Sequence, residues 1–89
     1  MTRKPLKTIR SHAGYARLLG SADLERDPND PDMPLVVRTI PRPDDIPSPY
    51  WFAHEWDVYR WKGRDVVIRE TSHRCYQVFD VQPIEEVNP

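Results

Sequence analysis

"HEWDVYRWKGRDVVIRET", residues 54–71, is the stretch that decides how this chain folds. Two runs rich in Val, Ile, Trp and Tyr flank Lys62 and Gly63. Gly tolerates the positive φ that a tight turn demands, so the pattern predicts a β-hairpin. A third run, "RCYQVFDV" at 74–81, follows a short connection at 71–73. The expectation is an antiparallel meander with strands at 54–61, 64–71 and 74–81. "LVVRTI" at 35–40 is a β-branched run between prolines, which suits an edge position and predicts a fourth strand.

Side chains alternate between the two faces of a strand. Within 54–61 this puts Trp56 and Val58 on one face and Tyr59 and Trp61 on the other. With a two-residue turn, Arg60 faces Asp65 and Tyr59 faces Val66. Tyr59, Trp61, Val66 and Ile68 then share the better core face. The opposite face mixes Trp56, Val58 and Val67 with Arg60, Asp65 and Arg69. Trp and Arg together are the composition enriched at interface hot spots. Six of the nine aromatic residues lie between Tyr50 and Trp61, Trp51 among them. The partner-binding set read from this pattern is Trp56, Val58, Arg60, Val67, Arg69 and Trp51.

Upstream, Ser11 is placed to N-cap a helix whose apolar residues Tyr15, Leu18 and Leu19 recur at helical spacing, with Gly20 at its end. Gly14 inside that helix costs about 1 kcal/mol relative to Ala, so packing must support it. Ser21 caps a second short turn that Pro28 ends. Seven of the ten prolines fall between Pro28 and Pro49, which excludes helix there. The fold class expected is α+β: a short N-terminal helical segment packed on a small antiparallel sheet of three to four strands. Residues 1–89 form a single small domain, with a proline-rich connector at 28–49 holding one strand and an acidic tail at 83–89.

Composition narrows the function classes. The chain has 89 residues, 38% of them hydrophobic, so its aromatics carry much of the core. A formal charge of −1 argues against a general polyanion binder. Its distribution is uneven: Arg3, Lys4, Lys7, Arg10 and Arg17 precede any acid, and Asp23, Glu25, Asp27, Asp30 and Asp32 follow against Arg26 alone. One cysteine, Cys75, permits no internal disulfide, and no apolar run approaches the roughly 18 residues of a membrane helix. The expected location is the cytoplasm.

Chemistry-bearing sets are thin. His73, Cys75 and His54 fall short of the two close ligand pairs of a structural zinc site. A His73–Cys75 dyad at i and i+2 holds its Cα atoms about 6–7 Å apart, too far for easy hydrogen bonding. Glu55 and Asp57 share a strand face, as solvated carboxylates commonly do. The three glycines form no phosphate loop. No catalytic residue, metal or cofactor is expected.

One likeness remains. "VYRWKGRDVVI" at 58–68 is similar to the basic hairpin of the RelE-type toxins, small α+β ribonucleases that cut mRNA on the ribosome. The chain departs from that family in its proline-rich centre, near-neutral charge and missing further strand, and no catalytic residue transfers.

The leading functional expectation is a small non-enzymatic protein–protein interaction module: an inhibitor, adaptor or accessory subunit, of the kind phages and mobile elements often encode. Its partner is another protein, or a second copy in a homodimer. The first alternative is a nucleic-acid-binding module using Arg3, Lys4, Lys7, Arg10 and Arg64 with the other hairpin cations. The second is a RelE-like ribonuclease toxin.

Overall fold

The computed structural model describes residues 3–46 and 55–82. It holds strands β1 (Lys7–Ile9), β2 (Arg26–Asp27), β3 (Asp30–Pro34), β4 (Arg38–Pro41), β5 (Glu55–Trp61), β6 (Arg64–Ser72) and β7 (Cys75–Asp80), with one helix, α1 (His12–Leu19), after β1. Antiparallel pairing gives a five-stranded sheet in the order β1-β7-β6-β5-β4 and a separate ribbon of β2 and β3.

This overturns the expected helix on three to four strands. The fold is mostly sheet: 51% of the described residues lie in strands and 11% in the single helix. Two segments account for the difference. Residues 7–9, read as part of a basic arm, form β1 on β7, with Lys7 opposite Val78 and Ile9 opposite Tyr76. The acidic, proline-punctuated segment 26–34 forms the ribbon, turned by an Asp27 carboxylate that accepts from the Asn29 N–H at 2.9 Å. The connector 28–49 thus carries two strands, and the predicted strand at 35–40 begins only at Arg38. Ser21 caps a turn without helix: its hydroxyl accepts from the Asp23 N–H at 3.1 Å. The tail at 83–89 lies outside the described residues.

The hairpin pivots on Lys62 and Gly63, with φ of 50° and 78°. Two consecutive positive φ values are the signature of a twist-matched turn. They bring Tyr59 opposite Val66 and Arg60 opposite Asp65. The β6–β7 turn is also two residues long, with Arg74 at φ 57°. A register shift between Glu70 and Ser72 sets Thr71 off the ladder, where its hydroxyl donates to Gln77 Oε1 at 3.0 Å.

Alternation gives the sheet two apolar faces. On one, Trp61, Val66, Tyr76 and Val78 pack with Ile9, Leu18 and Leu24, and Tyr15 and Leu19 of α1 lie against them. On the other, Trp56, Val58, Val67, Phe79 and Val81 pack with Ile40 and Ile46. Ser11 N-caps α1, its hydroxyl accepting from the Gly14 N–H at 3.0 Å. Gly14 is required by contact: a Cβ there would stand 2.7 Å from Ile9 Cγ2. Gly20 ends α1 at φ −89°, a conformation open to any residue, and its N–H reaches the Ala16 carbonyl.

Candidate functional site

The residues singled out on the Trp56 face are largely inside the molecule. Trp56 is 1% exposed, and Val58 and Val67 are fully buried. Arg69 lies over the Trp56 ring, its guanidinium carbon 4.2 Å from the centroid. Half-burial disfavours the charge on Arg69 and lowers its pKa from the usual arginine value. Asp65 forms an ion pair with Arg38, and its other oxygen accepts from Arg60 Nε at 3.2 Å. Both guanidiniums hold the Asp65 carboxyl below the usual carboxylate range, Arg38 foremost. Arg60 also approaches Glu25 at 3.5 Å. Trp51 lies outside the described residues. The set therefore meets as a buried apolar cluster with a charged fringe.

The nucleic-acid set is dispersed. Arg3 grips Asp45 through two hydrogen bonds of 2.8 and 2.9 Å and donates to the Asp80 carbonyl at 2.9 Å. This contact lowers the Asp45 pKa and ties the N-terminal segment to the connector. Lys4, Lys7 and Arg10 are exposed near or on β1, whereas Arg64 is exposed at the β5–β6 turn. Lys62 sits over Trp61, 4.7 Å from its centroid.

The remaining candidates do not converge. His73 is exposed in the β6–β7 turn and shares no strand with Cys75, which is half-buried beside the Thr71 hydroxyl at 3.8 Å. His54 lies outside the described residues, and Glu55 and Asp57 are exposed on β5. Among the described residues no group of three or more His, Cys, Asp or Glu side chains is placed to hold a metal ion. His12 meets the Tyr76 hydroxyl at 2.7 Å, and Tyr15 stacks on Tyr76 with centroids 4.2 Å apart. These contacts anchor α1 to β7.

Two open concavities flank α1, and the sequence reading found neither. At 3.6 residues per turn, Tyr15, Ala16 and Leu19 face one side of the helix, while Gly14 and Arg17 face the other, with Ser21 just beyond the helix end. The first side, with Met33, Pro34 and Tyr59, bounds an apolar groove of about 440 Å³. Met33 is 55% exposed at its rim, and nearby in sequence Val36 is 43% exposed. Burial foremost, and the nearby Asp57 charge, raise the Tyr59 pKa above its usual value. The second side faces β1 across a polar groove of about 420 Å³. Tyr15 and Leu19 at i and i+4 were a legible signal for the first groove. Met33 was not, because only the ribbon's fold brings it beside α1.

No helix among the described residues is long and apolar enough to cross a membrane. No protein-family model, no curated protein and no solved structure matches this chain.

Proposed function

We propose that the protein is a small non-enzymatic protein-binding module, acting as an inhibitor, adaptor or accessory subunit. The observation that carries this reading is the apolar groove between α1 and β3. It joins the half-buried rings of Tyr15 and Tyr59 to the exposed Met33. Exposed apolar surface beside shaped concavity is the usual mark of a protein contact, and Met adapts readily to an incoming side chain. The contact surface sits here, on the helix side. The Trp56 face expected from the sequence is filled by Ile40 and Ile46. Three cations of the hairpin already have partners, Arg60 in Asp65 and Glu25, Lys62 in Trp61 and Arg69 in Trp56, while Arg64 stands exposed.

Capture from the native host with wild-type bait and with M33E/A16R bait tests the reading. Both substitutions fall on exposed residues and leave the core intact. The expected result is a protein held by wild type, lost by the variant, and reconstituted from purified components. Sub-micromolar binding of RNA or duplex DNA with a steep salt slope would favour the nucleic-acid reading instead. Self-association lost in M33E/A16R would identify the occupant as a second copy.

A further inference from the structure

We propose that the outer edge of β1 takes an extended acidic peptide as an added strand, seated in the groove between β1 and α1. The proposal goes beyond the apolar groove and concerns the opposite side of α1. The five-stranded sheet ends at β1, which pairs with β7 along one edge only. Its other edge has no strand partner among the described residues, so outward-facing amide and carbonyl groups remain to pair with a further strand. The groove runs along that edge. Lys7, Thr8 and Ile9 form one wall, and Gly14, Arg17 and Ser21 form the other. The missing Cβ of Gly14 lets the helix backbone close against Ile9, which fixes the second wall relative to the strand. An edge strand flanked by a helix is a geometry in which main-chain pairing supplies affinity and flanking side chains supply selection.

Charge selects the occupant. Lys7 and Arg17 line the groove, Arg10 follows β1, and these three make no ion pair among the described residues. No acidic residue occurs before Asp23. A second β1 laid against the first would bring the two copies' Lys7, Arg10 and Arg17 together, so the same cations that attract an acidic strand disfavour self-pairing. The acidic β3 of another copy fits poorly, because Pro31 and Pro34 each lack an amide donor. Nucleic acid matches the charge but offers no peptide backbone to pair with the edge. At the far edge of the sheet, β4 ends in Pro41 and is a weaker template.

Fluorescence anisotropy on the full chain tests this with a labelled ten-residue peptide alternating Glu and Thr. Saturable binding is expected, with a Lys–Thr peptide of equal length at least about tenfold weaker. N-methylating the peptide amides on one edge, in each of the two possible phases, should cost at least about tenfold in one phase, since it removes main-chain donors without changing charge. R17E and K7E/R17E should each weaken binding, with folding checked by circular dichroism, whereas M33E/A16R should leave it unchanged. Loss of binding in M33E/A16R would place the peptide in the apolar groove and overturn the assignment. So would indifference to N-methylation in both phases, absence of saturable binding, or tighter binding of a twelve-nucleotide oligouridine than of the acidic peptide. Failure of the apolar-groove reading shows as an unaffected host partner in M33E/A16R, a result independent of these arms.

Discussion

The two faces of the five-stranded sheet are closed in different ways. One is covered by α1, whose Tyr15, Leu18 and Leu19 pack over Trp61, Val66 and Tyr76. Regular helical spacing, an N-cap and a glycine contact set that cover in place. The other is closed from the proline-rich side: Ile40 of β4 lies beside Trp56 in the sheet, and Val37 before it and Ile46 beyond it pack with Trp56, Val58, Val67 and Phe79. This second cover has no helical ladder of its own. It depends on strand pairing between β4 and β5, on the Asp65 ion pairs, and on the Arg3 grip on Asp45. An amphipathic helix brings its backbone hydrogen bonds with it, whereas an extended segment must find partners for its backbone and its charges elsewhere.

The largest expected effects test whether both faces are core. Trp56→Ala and Trp61→Ala should each destabilise by about 3–5 kcal/mol, much of the stability of a domain this small. Urea denaturation measures both. If Trp56→Ala stays within about 1 kcal/mol of wild type, that face is not a second core and the comparison fails.

Next comes Asp65, the charged hinge of the second cover. Its side chain is 18% exposed and that of Arg38 17%, so removing the carboxylate's charge takes a close ionic partner from a mostly buried guanidinium. Asp65→Asn should cost about 1–3 kcal/mol near neutral pH. The folded pKa lies below the ordinary 3.8, so the stabilisation is fully present above that value. It is lost as pH falls through the lower folded pKa. Wild type should therefore lose stability in acid more steeply than Asp65→Asn, and parallel acid curves would remove Asp65 from the account.

On the helix side, Gly14→Ala reads the α1–β1 contact. Helix propensity alone predicts a gain of about 1 kcal/mol. A Cβ 2.7 Å from Ile9 Cγ2 predicts instead a net loss, of about 1–2 kcal/mol from overpacking. Thermal and chemical denaturation give the sign, and a stabilised variant would show that α1 can move away from β1 freely.

The smallest effect belongs to the Arg3 grip. The Arg3 and Asp45 side chains are 22% and 39% exposed, so Arg3→Ala should cost no more than about 1 kcal/mol globally. Its local effect should be larger. Amide exchange at residue 3, whose N–H donates to the Asp45 carbonyl at 2.8 Å, should speed up in the variant while α1 is unaffected. Equal acceleration on both covers would mean that they do not open separately.

The sequence by itself determined the hairpin. A period of two in 55–61 and 64–68, with glycine after Lys62, sufficed to sort Trp56 from Trp61 and to pair Arg60 with Asp65. Ser11 and the spacing of Tyr15, Leu18 and Leu19 likewise placed the helix. These signals are local, so neighbouring residues carry them. Other features depended on partners distant in sequence. Lys7–Ile9 becomes a strand because β7, about seventy residues away, offers an edge. The 26–34 segment becomes a ribbon whose base is tied to β5, where the Glu25 N–H meets the Arg60 carbonyl at 2.9 Å and the Leu35 N–H meets the Glu25 carbonyl. Periodicity divided the aromatics between two faces, but it carried no information about which face was wet. Only the tertiary structure decided that both are dry and that the grooves lie on either side of α1, because burial depends on what packs above a face and not on the strand that forms it.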